Sequence, residues 1–396
     1  MDDWKTYSLG DLAHIVTGAT PRAGDLESWG DDVDFITPSD QVENVREAYP
    51  SRRLSVRGAE KMARRIVPSG STNLTCIGYS IGKVSRAVRS CVTNQQINSL
   101  VANSSICDAA FLYYMICNWT PKLRREANGS RTPIVNKTLL SQYKFHVPPL
   151  AVQRAIAEVL GALDDKIAAN RSTCKLLVDL ADAKFQQAVS GIEPGSQTFG
   201  DVAEVGGGGT PKTSVEEYWT GEIPWATPTD VTALEVPYLS STGRTISEDG
   251  LSACSSSLYP AGSILMTSRA TIGAFAIAEV PTAVNQGFIV VNSRMPQLQW
   301  WLFHEMRCRV REFISYANGA TFMELPRGKF KKLGVRIPGH DSAQRFTSEV
   351  EPLHRLAATL KRETDVLART RDELLPLLMS GKLRVKDAEQ VVEEIA

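Results

Sequence analysis

Basic side chains are concentrated in two stretches of a chain whose formal net charge is zero. Residues 44–90 hold ten Lys and Arg against two acidic residues, and residues 300–336 hold eight against three. Guanidinium and ammonium groups bind phosphate and carboxylate oxygens. The two stretches therefore favour a polyanionic ligand held at chosen faces, although a solvated charged surface would give the same composition.

Motifs for catalysis or for a cofactor are lacking. The glycine run 206–209 is not followed by the Gly-Lys-Ser/Thr of a phosphate-binding loop. The chain has no Asp/Asn-Pro-Pro-Tyr/Phe motif of an adenine methyltransferase, and its five histidines lack metal-ligand spacing. The seven cysteines form no Cys-x-x-Cys pair, which indicates reduced thiols of a cytoplasmic protein. We therefore expect no catalytic site, no metal and no cofactor.

The chain repeats itself after about 190 residues. The matching segments are Leu9-Gly10-Asp11 with Phe199-Gly200-Asp201, Thr20-Pro21 with Thr210-Pro211, Trp29 with Trp219, Thr37-Pro38-Ser39-Asp40 with Thr227-Pro228-Thr229-Asp230, Gly82 with Gly273, and Asn94-Gln95 with Asn285-Gln286. This period is far longer than the roughly 20 to 50 residues of a solenoid repeat. It predicts a domain-sized head present twice, an arrangement suited to a ligand with two parts.

Each copy begins with a mixed α/β segment of about 145 residues. In the second copy we expect strands at 263–267, 274–278 and 288–291. A helix is expected where apolar residues recur at steps of three and four from Leu298 to Phe313, with a counterpart from Leu112 to Leu123. Each mixed segment should close on a short strand that ends in proline, at Val147-Pro148 and at Ile337-Pro338.

A long charged and apolar segment of about 40 residues follows each mixed segment. Apolar positions that alternate by four and three indicate the seam of a coiled coil. The first seam is Ile156, Leu160, Leu163, Ile167, Asn170, Cys174, Leu177, Ala181, Lys184 and Ala188, and the second is Phe346, Val350, Leu353, Ala357, Leu360, Thr364, Leu367, Arg371, Leu374 and Leu378. We expect helices that partner each other, the first from Gln153 to Ser190. Core helices of a bundle are the alternative.

The predicted fold class is α/β, with two mixed globules joined by two long antiparallel helices that form a coiled coil. The order head, helix, head, helix implies an internal pseudo-two-fold symmetry. No apolar run reaches the roughly 18 to 20 residues of a membrane span, and the first residues lack the pattern of a signal peptide. We therefore expect a cytoplasmic protein without membrane contact.

Three motifs resemble a known family. The run from Val147 to Ala157, followed by Leu163-Asp164-Asp165-Lys166-Ile167, is similar to the start of a spacer helix in specificity subunits of Type I restriction-modification systems. The run from Leu377 to Leu383 resembles the end of the second spacer. Gly208-Gly209-Thr210-Pro211 resembles the opening of a target recognition domain, with a looser version at Gly18-Ala19-Thr20-Pro21.

The resemblance implies target recognition domains at 1–149 and 196–340 and spacer helices at 150–195 and 341–396. In this family each recognition domain reads one half of a split double-stranded DNA target, and the coiled coil sets the unread gap. Two modification subunits methylate adenine, and restriction subunits translocate and cleave DNA. The specificity subunit itself performs no chemistry.

Heads that read different half-sites should share their scaffold and differ at the positions that read bases. Matched residues such as Thr20 and Asp40 are thus predicted to be structural, and the matched Asn-Gln pairs to be structural or to position the DNA backbone. Arg and Lys pair with guanine in the major groove. The DNA-binding candidates are Arg52, Arg53, Arg57, Arg64, Arg65, Tyr79, Lys83, Arg86, Arg89, Arg131, Ser268, Arg269, Thr321, Phe322, Arg327 and Lys329.

Two other functions stay open at the level of sequence. The chain could be a non-catalytic assembly scaffold whose duplicated heads bind protein, although the basic clusters disfavour this. It could also be an enzyme with a diverged site in each head, which no motif supports.

Overall fold

The computed structural model describes residues 3–22, 24–127, 134–319 and 323–395. The first copy forms, in chain order, β1 (Lys5–Ser8), α1 (Leu9–Leu12), β2 (Ala13–Thr17), β3 (Trp29–Gly30), β4 (Val33–Ile36), β5 (Arg52–Leu54), α2 (Val56–Lys61), β6 (Thr72–Thr75), β7 (Val84–Arg86), β8 (Cys91–Thr93), β9 (Ile97–Ala102), α3 (Ala109–Ala127), α4 (Lys137–Gln142), β10 (Lys144–Val147) and α5 (Leu150–Val189).

The second copy repeats this order with small changes. Its elements are α6 (Phe199–Val202), β11 (Ala203–Gly206), β12 (Ile223–Ala226), α7 (Pro228–Thr232), β13 (Tyr238–Leu239), β14 (Thr245–Ile246), α8 (Glu248–Ser252), β15 (Ile264–Thr267), β16 (Phe275–Ala278), β17 (Ala283–Val284), β18 (Phe288–Ser293), α9 (Gln299–Cys308), α10 (Val310–Ser315), α11 (Arg327–Phe330), α12 (His340–Met379) and α13 (Val385–Ile395).

The chain divides into two compact units whose boundaries fall inside the long helices. Unit 1 contains the residues up to Ile167 and those from Val366 onward, and unit 2 contains Ala168–Asp365. Each unit thus combines one head with part of α5 and part of α12. The hydrophobic core of each head includes the apolar faces of these helix segments.

The two units build the same pair of sheets. Unit 1 has a four-stranded antiparallel sheet of order β2-β9-β6-β7, and unit 2 has the equivalent order β11-β18-β15-β16, extended by β13. A second small sheet contains one parallel pair in each unit, β4 with β8 and β12 with β17. The duplication in the sequence is therefore a duplication of topology.

The three strands predicted in the second copy are present as β15, β16 and β18. The expected closing strand at Val147-Pro148 is β10, which pairs with β1 over four residues. The prediction of a matching strand that ends at Ile337-Pro338 was wrong, because only a single bridge between Thr198 and Gly334 forms there. The segment equivalent to β1 is 195–198, which starts with Gly195 directly after Pro194, and glycine and proline both disfavour strands.

The predicted head helix is continuous in unit 1 and broken in unit 2. Helix α3 runs through Pro121, whereas the second copy ends α9 at Cys308 and starts α10 at Val310. Between them, Arg309 leaves the helical conformation, and its guanidinium binds Glu305, Glu312 and the carbonyl oxygen of Gly334. The prediction of one helix from Leu298 to Phe313 is thus corrected to two.

Both long helices form as predicted, each with 40 residues, and the first begins at Leu150 instead of Gln153. The two helices run antiparallel within each unit. In unit 2, the thiol of Cys174 lies 3.2 Å from the carbonyl oxygen of Ala357, and Lys184 forms an ion pair with Glu349 at 2.7 Å. As the residue number rises along α5, the partner's number falls along α12.

The predicted seam of α12 is buried or half-buried at every position, but the seam of α5 changes register. Past Cys174 the buried residues are Val178, Ala181, Phe185 and Val189, and the predicted Ala188 is exposed. A strict heptad assumes 3.5 residues per turn, whereas an α-helix has 3.6, so the buried face drifts by one residue. No helix in the described part of the chain has the length and apolar character that a membrane span requires.

Candidate nucleic-acid interface

The Gly-x-Thr-Pro turn of each head packs on the strand that leads to the shared Asn-Gln pair. In unit 1, Ala19 N–H donates to the carbonyl oxygen of Thr93 at 2.8 Å, and in unit 2, Gly209 N–H donates to that of Val284 at 3.1 Å. A side chain at Gly18 or Gly208 would collide with these backbone oxygens. The glycine of the motif is therefore required for close packing of two backbone segments.

In each Asn-Gln pair the asparagine stabilises the turn and the glutamine is exposed. Asn94 makes a turn by accepting the N–H of Gln96 at 3.1 Å, and Asn285 accepts that of Gly287 at 2.8 Å. The next residue, Gln95 or Gln286, is exposed in both heads. Its Oε1 accepts the hydroxyl of the motif threonine, at 2.7 Å from Thr20 and at 2.6 Å from Thr210.

The end of the first sheet strand is held by a different side chain in each head. In unit 1, the guanidinium of Arg65 donates to the carbonyl oxygens of Thr17 at 2.6 Å and Gly18 at 3.1 Å. In unit 2, the hydroxyl of Tyr259 accepts the N–H of Gly207 at 2.8 Å, and it also contacts the Gly207 carbonyl oxygen. Arg65 therefore has a structural task in addition to its charge.

A basic groove of about 550 Å³ lies beside this strand end in unit 1. It is lined by β2 from His14 to Thr17, by Lys61, by Arg64 and Arg65, and by Lys137 at the start of α4. Arg64 is exposed and forms no hydrogen bond or ion pair with the residues that the structure describes. Arg327 begins α11 at the equivalent place in unit 2, and its guanidinium lies next to Gly207.

Most of the other arginines predicted in the first head are engaged within it. Arg53 and Arg89 both bind the buried carboxylate of Asp34, at 2.9 and 3.1 Å. Arg57 forms an exposed ion pair with Glu27. These charges are offset by neighbouring acids, so they add less to a positive surface than the sequence indicated.

Arg52 belongs to a shared part of the scaffold. Its guanidinium stacks 3.4 Å from the ring centroid of Trp29, and in unit 2 Arg244 stacks 3.5 Å from that of Trp219. The same cation–π pair in two heads indicates a role in packing. The prediction of Arg52 as a DNA-contacting residue therefore finds no support in this geometry.

The remaining candidates of unit 1 lie at or near the turn between β6 and β7. Lys83 donates to the carbonyl oxygen of Pro38 at 3.1 Å, and Arg86 is half-buried. Tyr79 is fully exposed. This turn, Gly78–Gly82, has the Gly-x-Ser-x-Gly spacing of a nucleophile elbow, so the expectation that the sequence lacks catalytic motifs is corrected here. The turn joins two antiparallel strands, however, instead of the strand and helix that such an elbow requires. Arg131 lies outside the described residues.

In unit 2 the candidates within the described residues follow β15 or lie in α11. Ser268 is buried, and its carbonyl oxygen accepts the N–H of Leu325, so it is not the exposed side chain that was predicted. Arg269 forms an ion pair with Glu324 at 2.9 Å, and Lys329 lies 4.9 Å from the ring centroid of Tyr316. Thr321 and Phe322 lie outside the described residues.

Each head also contains a buried polar network against the long helices. In unit 1, Asp164 accepts the hydroxyl of Tyr114 and the guanidinium of Arg371, both at 2.7 Å. The position equivalent to Tyr114 in unit 2 is His304, and the position equivalent to Asp164 is His354. The two histidines are 2.9 Å apart at Nε2. The same positions thus carry a carboxylate network in one unit and an imidazole pair in the other.

The network of unit 2 contains a carboxylate and a guanidinium beside the two imidazoles. His304 contacts Asp182 at 2.7 Å, and Arg307 binds the same carboxylate at 2.7 Å. Burial favours the neutral carboxylic acid, but the hydrogen bonds from His304 and Arg307 prevail and lower the pKa of Asp182 to about 2. Burial, with the nearby His304 and Arg307, lowers the pKa of His354 to about 3. Among the described residues, no cluster of three or more His, Cys, Asp or Glu could hold a metal ion.

Sequence reasoning missed Lys137 as a groove residue and did not rank Gln95 or Gln286 among the contact candidates. Lys137 could have been found from the sequence, because the 190-residue offset pairs it with the candidate Arg327. The glutamines were predicted to be structural or to position the DNA backbone, because the sequence could not show that each is exposed and accepts a hydrogen bond from a threonine.

Comparison with known proteins places this chain in a family. The sequence model for the "Type I restriction modification DNA specificity domain" matches residues 1–176 and again 196–366. The MjaIX specificity subunit of Methanocaldococcus jannaschii is 34% identical over 176 residues, which are 44% of this chain and 41% of that protein. The HindI specificity subunit of Haemophilus influenzae is 27% identical over 190 residues, 48% of this chain and 41% of that protein. The chain therefore spans less than half of each of these two relatives.

The fold has a solved counterpart. The crystal structure of a Type I restriction-modification system S subunit from M. genitalium superimposes with a TM-score of 0.62 at 15% identity, covering 95% of this chain and 96% of that one. This likeness concerns the fold alone. Because the family model matches most of the sequence, in two copies that follow the internal repeat, the chain belongs to the Type I restriction modification DNA specificity domain family.

Proposed function

We propose that this chain is the DNA-binding specificity subunit of a Type I restriction-modification complex. It reads a bipartite double-stranded DNA target and directs adenine methylation and cleavage that partner subunits perform. Residues 1–149 and 196–340 act as the two target recognition domains, and residues 150–195 and 341–396 act as spacer helices.

One observation carries the proposal. The two heads have the same internal frame, with an Arg-Trp stack and a Thr-Gln hydrogen bond in each. An exposed position on that frame differs: Tyr79, three residues before Gly82, corresponds to Ala270, three residues before Gly273, and both are exposed. A constant frame with variable exposed side chains is what two readers of different half-sites require, because phosphate contacts position a protein and side chains at base edges specify the sequence.

The helices support a role in spacing. Helices α5 and α12 each have 40 residues, and their buried stripes are continuous. At 1.5 Å per residue each is about 60 Å long, the length of roughly 18 base pairs of B-form DNA. We propose that they set the gap between the half-sites and provide the surface for two modification subunits and for the restriction subunits.

The decisive experiment is to co-express the chain with its modification subunits in a host without adenine methylation and to map the methylated adenines. We expect one bipartite motif. Exchange of residues 1–149 for those of another family member should change one half of the motif and leave the other half and its methylation intact.

Two outcomes would reject the proposal. Methylation without a sequence motif, or an equal level without the chain, would favour the assembly scaffold. Methyl transfer by the purified chain alone would establish instead that the chain is an enzyme.

A further inference from the structure

We propose that Gln95 and Gln286 are equivalent DNA phosphate contacts, one in each head. Each presents its side-chain amide N–H groups to a backbone phosphate at the same relative place in its half-site. This inference rests on the proposed function, and it adds a sequence-independent anchor that both heads share.

The orientation of each amide is set by the motif threonine. The hydroxyls of Thr20 and Thr210 donate to Oε1 of their glutamines at 2.7 and 2.6 Å. An amide with its oxygen engaged has two N–H donors left on Nε2. Both glutamines are exposed, so these donors are accessible to a ligand that accepts hydrogen bonds.

The fold itself does not need the amide nitrogen. The turn at each pair is made by Asn94 or Asn285, whose side chain accepts a backbone N–H and whose own N–H donates to the carbonyl oxygen of Ile36 or Ala226. A carboxylate at Gln95 could accept the Thr20 hydroxyl equally well. The choice of an amide in both copies is thus explained by its donors.

The duplication indicates which acceptor the two glutamine amides bind. Two heads that read different half-sites can share only contacts to features that both half-sites share, and the phosphate backbone is such a feature. Glutamine reads adenine by a bidentate pair that uses its oxygen as well as its nitrogen. Here threonine already uses one of the two lone pairs of the oxygen and fixes its direction, whereas both N–H donors are unused by threonine, and a phosphate oxygen accepts them.

A cation lies near the start of each Gly-x-Thr-Pro motif. Lys137 lines the groove beside Thr17, and Arg327 lies next to Gly207, three residues before Thr20 and Thr210 respectively. Both are the first residue of a short helix at equivalent positions in the repeat. Lys, Arg and Gln side chains are all common donors to DNA phosphates.

The test uses the full chain in complex with its modification subunits and two duplexes of equal length, one with the mapped target and one without it. Gln95→Glu keeps an acceptor for Thr20 and replaces the donors by an anionic oxygen. We expect a loss of at least about tenfold in affinity for both duplexes, with an unchanged melting temperature. Gln142→Glu, which makes the same charge change at an exposed position of α4, is the matched control and should alter affinity less than twofold.

Three further variants sharpen the result. Gln286→Glu should reproduce the loss in the second head. Gln95→Ala should lower affinity about fivefold while the slope of log affinity against log salt stays constant, because a neutral donor releases no counterion. Thr20→Val should weaken binding and Thr20→Ser should restore it, because only serine can still orient the amide.

The outcomes separate this inference from the proposed function. If the unaltered complex binds both duplexes equally, the proposed function fails. If it prefers its target but Gln95→Glu behaves like Gln142→Glu, the phosphate contact is refuted. A changed preference at one base in the Gln95 variants would assign base readout and would equally refute it.

Discussion

Arg371 donates to Asp164 across 2.7 Å, and both side chains are almost fully buried in unit 1. Burial favours the neutral form of Arg371, but the charge and hydrogen bonds of Asp164 and Asp372 outweigh it and raise the pKa of Arg371 above its usual value, so the guanidinium stays protonated. Arg371 occupies a seam position of α12, where the heptad pattern would otherwise place an apolar residue. The helix segments of unit 1 are thus fixed in register by a charge pair.

Arg371→Leu should destabilise unit 1 by roughly 3 to 5 kcal/mol, because it leaves the buried carboxylate of Asp164 with Tyr114 as its remaining partner. The double variant Asp164→Leu with Arg371→Leu should lose less, because it leaves no unpaired charge. Hydrogen exchange of α3 measures both. Equal losses in the single and double variants would contradict this account.

Unit 2 should lose stability as the pH falls below neutral. Burial, followed by His304 and Arg307, lowers the folded pKa of His354 to about 3, whereas unfolded histidine titrates near 6.5. Below pH 6.5, His354 therefore binds a proton in the unfolded state but not in the folded state. The free energy of unfolding falls by about 1.4 kcal/mol per pH unit down to about pH 3.

The change is measured by hydrogen exchange of α9 between pH 7 and pH 4. His354→Phe should make the pH dependence shallower. Protection of α3 in unit 1, where Tyr114 and Asp164 replace the histidines, is the internal control. A decline of the same steepness in α3 would contradict the assignment to the histidine pair.

Arg64 and Arg65 should separate into a ligand contact and a structural residue. Arg64→Gln should lower DNA affinity and reduce the salt slope by about one, with an unchanged melting temperature. Arg65→Gln should also lower the melting temperature, because it removes the bonds to the carbonyl oxygens of Thr17 and Gly18. Salt titrations and thermal unfolding of both variants check this. Identical profiles for the two would refute the division.

Removal of seven residues from each long helix, 168–174 and 359–365, should shorten the unread gap of the target. Seven residues correspond to about 10 Å of helix and to about three base pairs. A seven-residue deletion returns the apolar stripe to nearly the same face, so packing is retained. Methylation mapping measures the gap, and removal of four residues, which rotates the stripe, is the control for misfolding. A full-length gap after the heptad deletion would reject a spacing role.

Some features followed from the sequence because they depend on local pattern. The repeat of about 190 residues, the three strands β15, β16 and β18, and the two long helices are set by turn residues and by apolar periodicity along the chain. The predicted stripe of α12 is buried or half-buried at all its positions. The stripe of α5 drifted after Cys174, because the pattern does not distinguish 3.5 from 3.6 residues per turn.

Other features were decided only by tertiary structure. Composition marked a dense run of arginines, but it could not show that Arg53 and Arg89 share Asp34 or that Arg52 stacks on Trp29. Those contacts depend on strands that are distant in sequence. In the groove, Arg64 and Lys137 are exposed cations that form no hydrogen bond or ion pair with the described residues. The hydrogen bond between Gln95 and Thr20 likewise joins residues that are 75 positions apart in the sequence. Charge and residue type are local properties, whereas the availability of a side chain for a ligand depends on which distant groups the fold brings to it.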